Sequence, residues 1–543
     1  TLTSLTAAGG LFAALNAGAL TGNLTVNITG DISIEDGANA LKPLAEDGGA
    51  NFSITIQPSA ATLWTISGAI AGGSNNGIRF TGADRVTVDG RFGGSGRYLL
   101  FRNTNATGTA PVFVAQQEAQ NITLRNLIIE GSGTSSAGAL VFLGTSQTAV
   151  MDGISIPIGT GIGNDFFTLR ECQLRNGAAG LPVTAFYSNG STLSLGQANS
   201  DVTVADNEFS NFTQYGISTS TGNGSNWTIS GNKFFYSSAT PHTATTVRAM
   251  DLNANTQAAN WQILNNGIGG SAADNSGLWT NSNTTASLVF RGIYINSLGQ
   301  TLTTPGNVVV QGNTIQNISL KGTAGHSFRG IELTSSGPYA AVGQNVIQDI
   351  SSNMTGGSAT APQFVGILAG SAAGNLAGNA QIYVGNTIQR LRLTASASTS
   401  WVAGILTTSS AVAVGAVSFN RIVDLTTAGT TAGGLIGVSL YNGEWTLTNN
   451  QIALTNTGST IGVGIIGIRD ETRTLSTDKF YFNSVRIDGA ATTGTTKTYA
   501  FTRPSTTTVP TVDLRDNILL NERTGTGSHF AVGLGVTGST TST

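Results

Sequence analysis

Short runs in which apolar and polar residues alternate recur along most of the chain, always in the same frame. An apolar pair at alternate positions is followed three residues later by Asn and then by another apolar residue. Clear instances are Val202-Thr-Val204 with Asn207 and Phe209, and Trp227-Thr-Ile229 with Asn232 and Phe234. The frame continues through Asn266, Asn313, Asn345, Asn386, Asn420, Asn450, Asn483 and Asn517. Phe167-Thr-Leu169 fits it too, with Cys172 in the Asn slot. From Cys172 to Asn517 the intervals are 35, 25, 34, 47, 32, 41, 34, 30, 33 and 34 residues. Such scatter is what loops of variable length on a constant frame produce.

Each interval holds a further run of the form Gly-Ile-x-apolar, as in Gly292-Ile-Tyr-Ile295 and Gly330-Ile-Glu-Leu333. One unit therefore reads strand, turn, strand, Asn corner, strand, loop. In the unit from Phe328 to Ile350 the first turn falls at Ser336-Gly-Pro338 and the corner at Asn345. A period of two over short runs is the signature of half-buried strands, and the i, i+3, i+4 spacing of a helix is not seen. A propeller blade needs four strands per repeat, and three fit here. The pattern predicts an all-β fold, a right-handed parallel β-helix whose turns bury together what none buries alone. Weaker copies at Leu24-Thr-Val26, Ile54-Thr-Ile56, Val86-Thr-Val88 and Ile122-Thr-Leu124 raise the expectation to about fifteen three-strand coils.

Leu11-Phe-Ala-Ala-Leu15, with Ser4 or Thr6 as its N-cap, predicts a short helix closing the N-terminal end of the core. The expected division is an N-terminal cap over 1–22, the β-helix over 23–525, and a coil end or junction to a further domain over 526–543. The tail Val536-Thr-Gly-Ser-Thr-Thr-Ser-Thr543 reads as the unfinished end of a segment of a longer polypeptide.

Asn tolerates the left-handed backbone, and its amide both donates and accepts. The anchors Asn207, Asn232, Asn266, Asn313, Asn345, Asn386, Asn420, Asn450, Asn483 and Asn517 are therefore expected to form a structural ladder. Catalysis needs one special residue, not ten equal ones. Cys172 in the same slot reads as a small buried side chain, and Trp227, Trp261 and Trp445 as core aromatics by parity. Trp279 lies in an insertion, Asp274-Asn-Ser-Gly-Leu-Trp279, where the repeat demands no aromatic. It is the candidate ligand-binding residue, stacking on a sugar ring, with packing of its loop as the other reading.

Composition narrows the function. Net charge is −3, only 10% of residues are charged, and no basic block is present, which argues against a nucleic-acid partner. No apolar run approaches the length of a membrane span. One Cys excludes a disulfide framework and Cys-based metal sites. Abundant Gly, Ser, Thr, Asn and Ala points to an extracellular protein. The candidate acids Asp206, Asp251, Asp470 with Glu471, and Asp516 form no evident acid/base pair. Asp206 and Asp516 precede ladder positions, and Asp470-Glu-Thr-Arg473 reads as a solvated loop. His242, His326 and His529 fall in unrelated coils. No catalytic residue, metal site or cofactor is assigned.

The segments Leu5-Thr-Ala-Ala-Gly-Gly-Leu-Phe-Ala-Ala-Leu-Asn-Ala-Gly18, Gly22-Asn-Leu-Thr-Val-Asn-Ile-Thr-Gly30, Thr65-Ile-Ser-Gly68 and Gly82-Ala-Asp-Arg-Val-Thr-Val-Asp-Gly90 carry a resemblance. The N-terminal third resembles the start of large secreted β-helix surface proteins of the Bacteroidota. The resemblance implies an adhesin-like chain exported by type IX secretion. It says little of activity, so two functions stay open. One is a non-catalytic cell-surface structural or adhesion module, a rigid rod within a filament or layer, whose partners are other copies or further domains of the same protein, and glycans. The other is a β-helix that binds or cleaves polysaccharide, for which fold analogy is the main warrant.

Overall fold

The computed structural model describes the chain except for residues 1, 71–72, 74–75, 137, 285–286, 299–307, 323–325, 335–339, 356–361, 371–379, 409–413, 431, 458–460, 472–476, 505–510 and 536–543. The turn expected at Ser336–Pro338, Thr472 and Arg473 of the loop after Asp470, and the tail from Val536 lie outside these residues. The fold is an all-β parallel β-solenoid of about 13 turns, with one α-helix among the described residues. The chain divides into two compact units. The first comprises Thr1–Ser238, Ala249–Gly267 and Ala272–Asp274, and the second Ala239–Arg248, Ile268–Ser271 and Asn275–Thr543.

Each unit has three long parallel sheets, to which successive turns add one strand each. Each also has a two-stranded parallel pair, Ala19–Leu20 with Ala45–Glu46 in the first unit and Ala490–Ala491 with Thr524–Gly525 in the second. In the first unit the first sheet runs from Leu24–Ile28 through Ile54–Pro58 and Val86–Asp89 to Trp261–Leu264. Its second sheet runs from Trp64–Gly68 to Lys233–Phe235, and its third from Ile78–Thr81 to Tyr215–Gly222. In the second unit the corresponding sheets run from Val308–Gln311 to Thr511–Arg515, from Thr314–Leu320 to Ile518–Asn521, and from Val289–Ser297 to His529–Leu534. Register is residue for residue: Ile315 lies beside Ile347 and Ile347 beside Ile388. Like side chains therefore stack in columns, and Ile315, Ile347 and Ile388 are fully buried.

The turn count is slightly below the expected fifteen. The first motif, Leu24–Ile28, is followed by single bridges at Ile32 and Leu41 where later turns place full strands. It starts the first sheet without completing a turn.

The N-terminal helix spans Leu11–Ala17 and buries Leu11 and Phe12. Its N-cap is Gly10, without a side-chain cap, so neither Ser4 nor Thr6 has the expected role. Both instead bind the buried carboxylate of Glu35, which also accepts from Leu5 N (2.6 Å) and Thr6 N (2.8 Å). Gly10 is required by space: a Cβ there would lie 2.8 Å from the Ser4 carbonyl oxygen. No helix of the described residues is long and apolar enough to cross a membrane.

Candidate ligand-binding groove

The corners decide where side chains point. In the second unit the left-handed residue is the one before each anchor, as at Gln344, Phe419, Asn449, Phe482 and Asp516, with φ of 54–57°. The anchors themselves are not left-handed, which corrects one reason given for Asn at this place. The turn before the anchor carries the backbone reversal, and the anchor's amide is aimed inward.

There it bridges turns. In the first unit Asn207 Nδ2 donates to Asn232 Oδ1 (3.0 Å) and Asn232 Nδ2 to Asn266 Oδ1 (3.0 Å). In the second unit the chain of amides runs from Asn313 through Asn345, Asn386, Asn420, Asn450 and Asn483 to Asn517, at 2.8–3.0 Å. Each acceptor oxygen also takes the preceding anchor's backbone N–H, as Asn420 Oδ1 does from Asn386 N (2.9 Å). The Cys172 N–H donates to Asn207 Oδ1 (2.9 Å), so this residue joins the ladder through its backbone. Burial pushes its thiol up to about 12, which leaves no thiolate near neutral pH.

Trp227 and Trp261 are buried and stack at 4.8 Å, and their indoles donate to the Asn199 and Gly224 carbonyls. Trp445 is buried beneath Gly415, where a Cβ would meet the indole at 2.1 Å. Trp279 corrects the sugar-stacking candidate. It sits in a strand, Trp279–Asn281, beside Ile318, is 0% exposed, and donates to His242 Nδ1 (2.8 Å). An indole with no exposed face cannot stack on a sugar.

The candidate acids remain apart. Asp206 and Asp516 occupy left-handed turns. Asp251 is buried in the strand Thr246–Asn253. Asp470, also buried, faces Arg503 (3.6 Å), and Glu471 pairs with Arg469. His326 Nδ1 accepts from Leu288 N (2.8 Å), while His529 Nδ1 lies 2.9 Å from the Thr498 hydroxyl. Among the described residues no group of three or more His, Cys, Asp or Glu side chains is placed to hold a metal ion.

A groove lies elsewhere, on the outer face of the second sheet in the first unit. It has a volume of about 530 Å³ and is lined by Arg102, Glu130, Arg175, Glu208, Asn211 and Phe235 among others. Its floor is built by register. Arg102, Glu130 and Arg175 are neighbours on three successive strands, as are Gln173, Glu208 and Lys233. Glu130 is clasped on both oxygens, by Arg102 Nε (2.7 Å) and Arg175 Nε (2.8 Å). Glu208 accepts from Arg97 (3.0 Å) and Gln173 (2.9 Å). At one edge Asn211, left-handed at φ 60°, donates to Asn176 (2.9 Å) and accepts from Ser237 N (2.9 Å).

The turns that hold Arg102, Glu130 and Arg175 lie before the first Asn anchor, with Leu99, Leu127 and Cys172 in the anchor slot. Only when these three are aligned do the residues one turn to either side of Glu130 both prove to be Arg. Finding the column needs the register of strands tens of residues apart, which alternation within one run does not supply. The chain matches no protein-family model, and comparison with curated proteins finds no match.

Proposed function

We propose that the chain is a non-catalytic module of an extracellular cell surface, a repeat scaffold whose second-sheet groove serves adhesion to a polar partner such as a glycan. The observation that carries the reading is the state of the groove's carboxylates. Both oxygens of Glu130 and both of Glu208 are occupied by fixed donors from the protein itself. A general acid must deliver a proton and a nucleophile needs a free lone pair. These carboxylates instead hold Arg102, Arg175 and Gln173 in place as part of a planar hydrogen-bonding floor.

The lining combines Arg102 and Arg175 with Glu130 and Glu208, which suits a ligand recognised by hydrogen bonds more than by net charge. A low overall charge and a Ser-, Thr- and Asn-rich composition support an extracellular setting, and the resemblance of the N-terminal third supports export to a bacterial surface. Further domains or copies of the same surface protein are the expected neighbours. The test is a panel of immobilised polysaccharides probed with the wild type and with Arg175→Gln combined with Asn211→Ala. The expected result is retention of the wild type by at least one glycan and about tenfold weaker retention of the variant. Equal retention of a folded variant would remove the groove from the account.

A further inference from the structure

Phe419 and Phe482 depart from the residues found at the other corners of the second unit. Ahead of the ladder anchors the left-handed position is filled by Gly312, Gln344, Gly385, Phe419, Asn449, Phe482 and Asp516. Glycine enters this conformation freely and Asn or Asp tolerates it, whereas a bulky side chain is a conformational outlier there. Neither ring offsets the strain by burial, since Phe419 is 62% and Phe482 57% exposed. Strain of this kind, held by surrounding structure and unexplained by packing, is a pointer to function.

The backbone fixes both positions. Phe419 N donates to the Thr448 carbonyl (3.0 Å), Asn449 N to that of Tyr481 (3.2 Å), and Phe482 N to that of Arg515 (3.4 Å). Pairing of Arg421 with Gln451, and of Gln451 with Ser484, puts Phe419, Asn449 and Phe482 on successive turns. The two aromatic positions are therefore two turns apart, about 10 Å by the strand spacing. Between and beside them stand polar groups, Asn449, Gln451 and Ser418 bonded to Thr448 (3.0 Å), with exposed Arg421 two residues after Phe419 and exposed Arg515 and Asp516 on the turn after Phe482.

We infer that this corner is a second binding edge, for a linear neutral oligosaccharide of extended β-linked pyranose rings. In such a chain the rise per ring is close to the rise per solenoid turn. Alternate rings can then lie on Phe419 and Phe482 while the Asn449 amide meets the hydroxyls of the ring between. A protein partner calls for a continuous apolar core to its interface. Here the two aromatic positions are separated by the Asn449 corner, which matches a ligand with apolar ring faces and a hydroxyl rim. The edge lies in the unit that does not hold the groove, and it is tested separately from it.

The experiment is titration calorimetry of the full chain with cellohexaose, chitohexaose and xylohexaose. The wild type should bind at least one of them. Phe419→Asn and Phe482→Asn should each weaken that binding about tenfold, and the double variant should abolish it. The melting temperature should be unchanged or higher, because Asn suits the left-handed turn better, so the loss cannot be laid to unfolding. Failure of all three sugars to bind the wild type would overturn the inference, as would a double variant that binds as the wild type does. Binding lost in Arg175→Gln but kept in the Phe variants would place the sugar in the groove, overturning this edge and sustaining the other site.

Discussion

Asn386 shows what one residue does at a corner. Its Oδ1 accepts both the backbone N–H and the Nδ2 of Asn345, and its own Nδ2 donates to the Val342 carbonyl and to Asn420 Oδ1. Leu would fill the space and leave several buried polar groups unpaired. Asn386→Leu is expected to destabilise by about 1–3 kcal/mol, read from thermal or denaturant unfolding. An unchanged midpoint would mean that the ladder contributes nothing. Asp165 works in the opposite sense. Burial, aided by the charges of Asp201 and Glu118, raises its carboxyl from the ordinary 3.8 to about 6, although Ser200 N donates to it (2.8 Å). A raised folded-state value means that its favourable contribution is complete below pH 3.8 and is lost as pH rises through 6. Asp165→Asn should therefore match the wild type near pH 4 and exceed it near pH 7 by about 1–2 kcal/mol, discounted for partial exposure. A difference that does not vary with pH would show that the carboxyl is not the titrating group.

Elements in this fold are held together by glycines as well as by amides. The Gly-Ile-x-apolar runs put a glycine of each third-sheet strand against the next turn. A Cβ on Gly366 would stand 2.8 Å from the Gly404 carbonyl oxygen and 2.8 Å from Ile388 Cγ2, and Gly330 and Gly404 are equally confined. Gly366→Ala should cost about 1–3 kcal/mol through overpacking, measured by the same unfolding experiment. No loss would mean that the turns can part at this column. The strands and the Asn corner could be read from the chain because alternation and a three-residue spacing are local signals. Elements fixed by distant partners could not. Ser4 and Thr6 look like helix caps until Glu35, some thirty residues on, is brought to them. Trp279 looks like a loop residue until its segment lies beside Ile318. The groove depends on three strands in register, and its chemistry is invisible in any one of them.

At the scale of the whole molecule, charge is sparse and largely committed. Burial would raise Asp89, but hydrogen bonds from Arg91 and Arg125 outweigh it and hold the carboxyl below its ordinary value. Hydrogen bonds from Arg390 likewise hold Asp349 low. With Glu130 and Glu208 these groups make ion pairs along the sheets, and their commitment to structure is the physical basis for reading the protein as a binding module. The most direct test is therefore turnover at the groove. Purified chain is incubated with each polysaccharide that it retains, and new reducing ends and unsaturated products are measured for the wild type and Glu130→Gln. Binding without product release by either protein is the predicted result. Cleavage by the wild type that Glu130→Gln abolishes while still binding would contradict the account and make the protein an enzyme.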